Sequence, residues 1–582
     1  MGTTGRLLEE DVSVCEAIVR VLEEVGIDMV FGISGGNMGL LFDTLYDHRS
    51  TIRTVLVRHE SLASVMAEVY GRLTGKPGVA IGQGVFMIAN ALLGTLEAHM
   101  GSSPMLLLAD LSDQAPFSQH APYQGGTGEY GTWDARRSFS GVTKYTMVPQ
   151  EPVQAVQSTQ LAIKHALSGE RGPVAVLYHS AAFQGRVGPG STPCLYPTPF
   201  YLPPRQSGDP GAVATAARAL LEARLPVIVA GNGVRVAGAY AELQGLAELL
   251  GAPVGTTAAG KGVFPETHEL ALGVIGNFGL GAANAFVGQA DVVLCVGSRL
   301  GVVDTTLENP GLLDPQRQIL IQIDVEPRNA AWAYPCKHVV IGDAALVLPQ
   351  FMEAVRDIGI PSKETRGSRK ERLEEIRRER GFFDFPEYAS GEVPVLPQRL
   401  IAELHRAVAD DAFIACDAGE NRLFMTHFFQ TKGPGTLIMP SIGAMGYAIP
   451  AAMAAKLIYP HRQVVAVCGD GGFGMAMNGL ITACEEGIPI VTVVFNNSAL
   501  GWVKHGQEDR TGHVIASEFG DTNYAEIARA LGCRALRIQD PGQLERALAE
   551  ALAANEPIVV DVVTSLKTSY RDVTSPLMDR AR

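Results

Sequence analysis

The sequence predicts an α/β protein with three doubly wound domains, each built on a parallel sheet covered by helices. Short apolar runs such as PVAVLYH, LPVIVAG and QVVAVCG alternate with amphipathic segments such as SVCEAIVRVLEEVGI. Runs that are apolar at every position are typical of strands buried on both faces, as in parallel sheets between helices. At 582 residues the chain is also too long for one core.

Two shifts in composition divide the chain into three blocks. Residues 186–211 are dense in Pro and Gly and predict an extended linker. Residues 362–397 contain a charged helix, whose charges we expect on a solvated face, followed by Pro-rich coil. The predicted domains are therefore 1–185, a Rossmann-like middle domain at 212–361, and 398–582 with a C-terminal tail. Ligands of such folds bind at the carboxyl ends of the strands.

Composition argues against several classes of partner. The chain has 47 basic and 61 acidic residues and a net charge of −14, which disfavours nucleic acid and anionic membrane surfaces. No apolar run reaches the ~18 residues needed to span a bilayer, and no basic and apolar signal segment is visible. Eight scattered cysteines without a CxxC pair are typical of reduced thiols. We therefore expect a cytoplasmic protein with neither nucleic-acid nor membrane partners.

The strongest chemical signal is the stretch AVCGDGGFG at residues 466–474. Asp470 follows an apolar strand and lies among four glycines, and Asn497 follows the next strand. Parallel strands would bring both side chains to one edge of a sheet, where a carboxylate and an amide oxygen suit Mg²⁺. Gly471 and Gly472 would let backbone N–H groups at a helix start face a diphosphate. The alternative is a simple strand-to-helix turn with Asp470 as its cap.

GDG followed one helix and one strand later by NN resembles the metal–diphosphate motif of thiamine diphosphate enzymes. The resemblance extends over nearly the whole chain, in the order pyrimidine-binding, middle and diphosphate-binding domain. This order is that of the group containing acetolactate synthase, pyruvate oxidase, benzoylformate decarboxylase and 2-hydroxyacyl-CoA lyase. The resemblance implies thiamine diphosphate and Mg²⁺ as cofactors, with the cation bound by Asp470, Asn497 and the main-chain oxygen of Ala499.

The same resemblance implies further contacts to the cofactor. Met445, in SIGAMGYAIP, falls where the family places a bulky apolar residue under the thiazolium ring, with ordinary core filling as the alternative. Gly443 would offer its carbonyl oxygen to the 4′-amino group. Gly419 and Asn421, in DAGENRLF, belong to a segment that closes over the diphosphate. Glu420 between them fits equally a solvated acid at a helix start.

Glu60 follows the strand TVLVRH and opens a helix. By itself this pattern predicts an acid stabilised by the helix dipole. The resemblance implies a catalytic glutamate that contacts N1′ of the aminopyrimidine and favours its imino tautomer, which removes the C2 proton. Because Glu60 and the diphosphate motif lie in different domains, we expect active sites between the subunits of a homodimer or homotetramer.

Three positions in the first domain are candidates for contact with the substrate, and loop packing is the alternative for each. Gln83 stands where relatives have threonine or a catalytic histidine; its amide can hydrogen-bond a substrate but carries no proton at neutral pH. Asn37, in FGISGGNMG, lies on a loop where some lyases and decarboxylases have histidine. Tyr130 falls where acyl-CoA-processing relatives have an aromatic residue. His59 and His120 are candidate proton carriers, with an ordinary surface position as the alternative.

Departures from the family pattern narrow the function. GSRLGVVDTT replaces the flavin-gripping stretch of acetolactate synthases, Gly506 replaces their acceptor-selecting tryptophan, and Gly131 replaces a glutamine. Arg299 and Asp324 are kept at positions that hold the adenosine part of ADP in relatives. ADP is therefore a candidate ligand and FAD is not expected. A nucleotide fold that has lost its ligand is the alternative.

The predicted function is a non-oxidative reaction that makes or breaks a carbon–carbon bond next to a carbonyl, as in a 2-oxoacid decarboxylase or an acetolactate synthase-like carboligase. The substrate would be a 2-oxoacid or a 2-hydroxyketone. One alternative is a 2-hydroxyacyl-CoA lyase or oxalyl-CoA decarboxylase-like enzyme, with an acyl-CoA covered by a basic tail that otherwise frays: Lys567, Arg571, Arg580 and Arg582. A catalytically silent regulatory or binding homologue is an alternative from another class.

Overall fold

The computed structural model describes residues 5–114 and 123–581 and divides into two compact units. The first unit comprises Met1–Pro204, Met453–Ile458 and Ile481–Glu486, and the second comprises Arg205–Ala452, Tyr459–Leu480 and Gly487–Arg582. Three six-stranded sheets are formed by the described residues. Every pairing of neighbouring strands within these three sheets is parallel. The predicted fold class, with three parallel α/β sheets, is confirmed.

The first unit contains one of these sheets and a short antiparallel pair. Its strands are β1 (Val12–Ser13), β2 (Met29–Gly32), β3 (Arg53–Leu56), β4 (Gly78–Gly82), β5 (Met105–Asp110), β6 (Tyr145–Met147), β7 (Pro173–Tyr178) and β8 (Arg186–Val187). Its helices are α1 (Val14–Glu24), α2 (Gly39–Asp47), α3 (Glu60–Thr74), α4 (Gly84–Asn90), α5 (Leu92–Met100), α6 (Ala135–Ser140), α7 (Pro152–Leu167) and α8 (Ser180–Phe183). The sheet order is β3-β2-β4-β5-β7-β6, and β1 pairs with β8.

The middle sheet opens the second unit. Its strands are β9 (Pro226–Ala230), β10 (Val254–Thr256), β11 (Ala271–Val274), β12 (Val292–Val296), β13 (Ile319–Asp324) and β14 (His338–Ile341). The helices are α9 (Pro210–Glu222), α10 (Asn232–Ala237), α11 (Tyr240–Leu250), α12 (Gly281–Gln289), α13 (Ala344–Ile358) and α14 (Lys363–Arg380). The order β11-β10-β9-β12-β13-β14 is that of a doubly wound sheet, with the chain reversing direction after β11.

The third sheet contains the glycine motif. Its strands are β15 (Phe413–Cys416), β16 (Leu437–Ile438), β17 (Val464–Gly469), β18 (Val491–Asn496), β19 (Arg534–Ile538) and β20 (Ile558–Val563). The helices are α15 (Pro397–Ala407), α16 (Glu420–Phe428), α17 (Ala448–Ile458), α18 (Asp470–Ala476), α19 (Gly479–Glu485), α20 (Gly501–Thr511), α21 (Tyr524–Ala530) and α22 (Leu544–Leu552). The order β16-β15-β17-β18-β20-β19 places the two strands that end at the predicted metal ligands side by side.

Strands with continuous apolar sequence are the buried centres of the sheets. All six residues of β5 and of β7 are buried, as are all five of β9 and of β12. The strands that the apolar runs do not indicate, β6, β10, β11, β14, β16 and β19, lie at a sheet edge or next to one. An edge strand needs no continuous apolar run, because one of its sides has no neighbouring strand to pack beside.

The two segments expected to be linkers are more structured than their composition indicates. Val187 and Leu195, within 186–211, are buried in the core of the first unit. In 362–397, the charged helix α14 was predicted to have a solvated charge run, and this is wrong for Arg369. The guanidinium of Arg369 is buried and donates to the main-chain oxygens of Ala223 and Leu250, both at 2.5 Å.

Two further findings bear on the compositional expectations. None of the helices in the described part of the chain is long and apolar enough to cross a membrane. All eight cysteines are free thiols, and five of them are buried.

Candidate active site

A cavity of about 230 Å³ opens at the carboxyl ends of β15, β17 and β18 in the second unit. The end of β17 is Gly469, with α18 beginning at Asp470, and Asn497 follows β18 directly. The sequence therefore correctly predicts that the two side chains reach one sheet edge. The cavity is lined by all the predicted cofactor and metal residues of this sheet: Gly419, Asn421, Gly443, Met445, Asp470, Gly471, Gly472, Asn497 and Ala499.

In the GDGG motif, close approach of neighbouring side chains explains two glycines, Gly471 and Gly472, and the backbone conformation explains none of the three. None of them has a positive φ. A methyl group at Gly471 would lie 2.9 Å from Met445 Cε, and one at Gly472 would lie 2.8 Å from Asp417 Oδ1. By contrast, Gly419 and Gly443 have φ values of 90° and 76°, which side-chain-bearing residues rarely adopt.

Asp470 has a buried oxygen without a protein partner. The side chain is 2 % exposed, and its Oδ1 accepts a hydrogen bond from the Gly471 N–H at 2.8 Å. No described residue donates to its Oδ2. Burial raises the pKa of this carboxyl to about 6. Asn497 and Ala499 line the same cavity. An amide oxygen and a main-chain carbonyl from them would complete a donor set of oxygen only, as a magnesium ion requires. The residues present therefore fit a divalent cation.

Asp417 is a buried carboxylate directly before the cavity-lining Ala418, and the sequence analysis did not single it out. It follows β15 and is buried, and its Oδ1 accepts hydrogen bonds from the N–H groups of Ala418 at 2.8 Å and Gly446 at 3.0 Å. Its Oδ2 accepts from the N–H of Ala448 at 3.0 Å. Burial raises the pKa of Asp417 to about 6, against these hydrogen bonds. Asp417 thereby fixes the loop that carries Gly443 and Met445.

The reading of Glu420 as a solvated acid is wrong. Glu420 is 4 % exposed; its Oε1 accepts from the Tyr570 N–H at 2.8 Å and lies 2.8 Å from His505 Nδ1. The other ring nitrogen of His505 lies 3.2 Å from the carbonyl oxygen of Leu566, which can only accept, so Nε2 carries a proton. The hydrogen bond with Glu420 raises the pKa of His505. Glu420 Oε2, which lies against Gly501, has no hydrogen-bond partner among the described residues.

In the first unit, Glu60 is the first residue of α3 and is 8 % exposed. The amide of Asn90 donates to its Oε2 at 2.7 Å. The preceding His59 caps the helix, since its Nδ1 accepts from the Ser61 N–H at 3.3 Å. Glu60 therefore begins a helix, as the sequence indicates. Its burial beside the Asn90 amide also suits an acid that contacts a ligand.

Gln83 and Asn37 belong to one polar cluster at the carboxyl ends of β2, β4 and β5. Gln83 donates to Ser112 Oγ at 3.2 Å, and Asn37 donates to the carbonyl oxygen of Asp113 at 3.2 Å. The third candidate, Tyr130, is fully exposed. The other candidate proton carrier, His120, lies outside the described residues.

Arg299 and Asp324 stand at the carboxyl ends of the neighbouring strands β12 and β13, outside the cavity described above. Asp324 is 7 % exposed and its Oδ1 accepts from the Glu326 N–H at 3.0 Å. In the same region Gly233 packs closely against Gly297. A methyl group added at Gly233 would lie 2.6 Å from the Cα of Gly297.

The C-terminal tail is not a frayed basic segment over the part that is described. Lys567 forms an ion pair with Glu392, and Arg571 forms one with Asp509. Tyr570 begins a turn of 3-10 helix, and its N–H group donates to Glu420, as described above. Of the other two basic residues, Arg582 and the side chain of Arg580 lie outside the description.

Three domains of one known enzyme family match the chain. Residues 12–127 match the thiamine pyrophosphate enzyme N-terminal TPP binding domain, residues 213–351 its central domain, and residues 417–562 its C-terminal TPP binding domain. The chain belongs to the thiamine pyrophosphate enzyme family and is a thiamine diphosphate-dependent carbon–carbon enzyme.

Within that family the chain is similar to acetolactate synthase large subunits. It is 32 % identical to the probable acetolactate synthase large subunit of Methanocaldococcus jannaschii over 94 % of this chain and 91 % of that protein. The acetolactate synthase large subunit of Corynebacterium glutamicum is 30 % identical over 94 % and 86 %. The putative thiamine pyrophosphate-containing protein YdaP of Bacillus subtilis is 27 % identical over 94 % and 91 %.

Proposed function

We propose that the chain is a magnesium-dependent, non-oxidative enzyme that makes or breaks a carbon–carbon bond next to the carbonyl of a 2-oxoacid or 2-hydroxyketone. It would act as an acetolactate synthase-like carboligase or as a decarboxylase. The observation that carries this proposal is the unpartnered Oδ2 of buried Asp470 in a cavity also lined by Asn497 and Ala499. Thiamine diphosphate supplies the electron sink for the bonding pair of the broken carbon–carbon bond.

The residues of the third sheet would bind and orient the cofactor. Asp470, Asn497 and the carbonyl of Ala499 would hold Mg²⁺, whose charge offsets that of the diphosphate. Gly471 and Gly472 leave room for backbone to approach phosphate oxygens at the start of α18. Together these residues would fix the diphosphate end of the cofactor.

Further residues would contact the cofactor or face the substrate. Met445, fixed by the loop that Asp417 holds, would support its ring system, with Gly443 offering a carbonyl oxygen and Gly419 and Asn421 closing over the diphosphate. Glu60 would hold a proton at the aminopyrimidine nitrogen. Gln83, Asn37 and Tyr130 would face the substrate.

The experiment that tests this function separates cofactor activation from turnover. The purified chain is stripped with a chelator and dialysed, and thiamine diphosphate and Mg²⁺ are added back singly and together. Exchange of the cofactor C2 proton should require both additions. Screening of 2-oxoacids, alone and with a second carbonyl compound, should then show release of CO₂ or formation of a ligated product. Exchange without Mg²⁺, or no exchange at all, would contradict the proposal.

We further propose a homodimer or homotetramer in which Glu60 and Asp470 of one active site come from two copies of the chain. Mixing the inactive variants Glu60→Gln and Asp470→Ala after brief dissociation tests this arrangement. If the two residues come from different copies, mixed dimers contain one intact site and recover part of the activity. If they come from the same copy, every site of a mixed dimer lacks one residue and no activity returns.

For the middle sheet we propose an adenine nucleotide such as ADP and no FAD. The support is the position of a buried carboxylate, Asp324, beside Arg299 at neighbouring strand ends, where acids accept ribose hydroxyls in nucleotide folds. ADP should raise the melting temperature of the wild type but not of Asp324→Asn. A yellow preparation with one FAD per chain would contradict this proposal.

The two alternative functions are not part of the proposal. The acyl-CoA alternative drew on a free basic tail, but Lys567 and Arg571 are ion-paired. A silent homologue would not need to keep an unpartnered buried carboxylate such as Asp470, which costs stability unless a ligand uses it.

A further inference from the structure

A histidine–aspartate pair lies at the carboxyl ends of two neighbouring strands in the first unit. His179 directly follows β7, and Asp113 lies three residues beyond β5, to which β7 is hydrogen-bonded. Nothing in the sequence patterns above assigns either residue a role. The position is the edge of the sheet at which ligands of such folds bind.

Asp113 is buried and surrounded by donors. Its Oδ1 accepts from the Ser180 N–H at 2.9 Å, and its Oδ2 accepts from the Ser180 hydroxyl at 2.9 Å and lies 3.0 Å from His179 Nδ1. Although burial raises the pKa of Asp113, the hydrogen bonds from His179 and Ser180 lower it below its ordinary value. Because the carboxylate is ionised, Nδ1 of His179 carries the proton that they share.

This contact leaves Nε2 as the ring nitrogen of His179 that can accept a proton. The His179 side chain is 23 % exposed, and no hydrogen bond to Nε2 is formed by the residues that the structure describes. The hydrogen bond to Asp113 raises the pKa of His179, and burial opposes this effect; the charged groups acting on the ring are Asp113 and Glu129. A neutral imidazole with a fixed Nδ1–H presents a basic lone pair at Nε2.

The pair is joined to both amides that we propose to face the substrate. Asn37 donates to the carbonyl oxygen of Asp113 at 3.2 Å, and Gln83 donates at 3.2 Å to Ser112, the residue before it. Neither amide can carry a proton at neutral pH. His59, a candidate proton carrier from the sequence, has Nδ1 occupied by the Ser61 hydroxyl and N–H, and no carboxylate among the described residues is hydrogen-bonded to its ring.

We propose that His179 is the proton carrier at the substrate end of the active site and that Asp113 is its positioning residue. The inference rests on the proposed function. When a substrate hydroxyl loses its proton, the O–H bond breaks, an N–H bond forms at His179 Nε2, and the electron pair stays on oxygen. In the reverse step the proton returns to the substrate. His179 therefore ends in its starting protonation state, and no further reactant is needed.

The test compares His179→Gln with His165→Gln, a matched histidine on α7 that stacks on Tyr145. The full chain is loaded with thiamine diphosphate and Mg²⁺. We expect His179→Gln to lower kcat by about 10²-fold, the usual contribution of one acid–base group. Exchange of the cofactor C2 proton should stay at the wild-type rate, because Glu60 is intact. His165→Gln should match the wild type in both measurements.

A second variant, Asp113→Asn, tests the positioning role. Its amide would donate to Nδ1, move the ring proton to Nε2 and remove the basic lone pair. The rate of carbethoxylation of His179, followed by peptide mass spectrometry against pH, reports its pKa without turnover. We expect this pKa to lie above 6.5 in the wild type and to fall in Asp113→Asn, together with kcat.

The outcomes separate this inference from the proposed function. If the wild type shows no C2 exchange, the proposed function fails. If exchange is intact but His179→Gln keeps the kcat and pH profile of the wild type, the inference is overturned. If His179→Gln does not fold, Asp113→Asn decides: an unchanged kcat with an unchanged His179 pKa overturns the inference, and a joint fall supports it.

Discussion

The first and third sheets both carry acidic side chains at the carboxyl ends of their strands, but two acids of the third sheet each have a buried oxygen that no described residue satisfies. In the first, Asp110 accepts from two backbone N–H groups, at 3.0 and 3.1 Å, and Glu60 accepts from Asn90. In the third, Asp470 Oδ2 and Glu420 Oε2 are buried and receive no hydrogen bond from the described residues. An unsatisfied buried acceptor costs about 1–3 kcal/mol.

The difference indicates that the acids of the two sheets have different roles. The acids of the first sheet are positioned by the protein itself, as general acid–base groups must be before a substrate arrives. Asp470 lowers the stability of the chain until a ligand, for which we propose the magnesium ion, completes it. The stability of the second unit should therefore depend on cofactor, and that of the first on its own charge pairs.

Asp470→Asn should have the largest effect, with opposite signs for stability and for binding. Without ligands the variant removes a buried charge, so its melting temperature at pH 7 should rise by about 2–4 °C, the shift that 1 kcal/mol produces in a large domain. The affinity for thiamine diphosphate with Mg²⁺ should fall by more than about 10²-fold, because a charged ligand of the cation is lost. Scanning fluorimetry and isothermal titration measure the two effects.

The sign of the stability effect follows from proton linkage. The folded-state pKa of Asp470 is raised from 3.8 to about 6, so the folded chain binds this proton more tightly than the unfolded chain does. The stability this provides is lost as the pH rises from about 4 to about 6. At pH 4 the variant should therefore gain nothing over the wild type. If the variant melts at a lower temperature than the wild type at pH 7 and still binds cofactor, the Asp470 carboxylate does not lower the stability of the ligand-free chain. The contrast between the two sheets would then be wrong.

Glu60→Gln should separate the two regions by function. The amide keeps the shape of the side chain but cannot hold the proton, so C2 exchange should slow by about 10²–10⁴-fold. Cofactor affinity, set by the third sheet, should change little. Exchange is followed by deuterium incorporation and affinity by titration. Exchange at the wild-type rate would exclude the proposed role of Glu60.

The sequence could predict what local pattern determines. Continuous apolar strands, and a GDG motif that precedes NN by one helix and one strand, place Asp470 and Asn497 at one edge without any other information. The two residues come together because neighbouring parallel strands have their carboxyl ends at the same edge of a sheet. The resemblance to a family then supplied Glu60 and Met445, which no pattern in this chain alone would single out.

Partners that are distant in sequence could not be predicted. The sequence indicates a solvated acid at a helix start for Glu420 and a solvated charged face for Arg369, and it gives no signal for Asp417. Each of the three is buried because a distant backbone group or side chain binds it. Burial of a charge depends on such partners rather than on local composition. His179 carried a weak signal, since it directly follows an apolar strand, but its Asp113 partner is 66 positions away.

Gly472→Ala should sharpen the account of the glycine motif. The added methyl group would lie 2.8 Å from Asp417 Oδ1, a carboxylate fixed by three backbone N–H groups. We expect a loss of about 1–3 kcal/mol in stability, as for other overpacked sites, and weaker cofactor binding. Gly474→Ala is the matched control on the same helix, since nothing lies within 4 Å of a methyl group there. Equal effects of the two variants would mean that Asp417 yields and is not a fixed support.

His48→Gln should have the smallest effect and should be confined to the first unit. Both ring nitrogens face carboxylates, with Nδ1 2.9 Å from Glu23 and Nε2 2.9 Å from Glu16. Although burial lowers the pKa of His48, these hydrogen bonds raise it above 6.5. Stability from the charged ring is therefore fully present below pH 6.5 and is lost as the pH rises through the folded-state pKa.

We expect His48→Gln to destabilise the chain by about 0.5–1 kcal/mol at pH 6, as for other partly exposed ion pairs, and by less at pH 8.5. Melting temperatures at the two pH values, each with and without cofactor, measure the effect. Because neither His48 nor its two carboxylate partners line the cavity, the increase in melting temperature on adding cofactor should equal that of the wild type at both pH values. A loss of stability that is the same at both pH values would show that the ring packs without its charge. A reduced response to cofactor would show that the His48 ion pairs are coupled to cofactor binding, and that the two regions are not energetically separate.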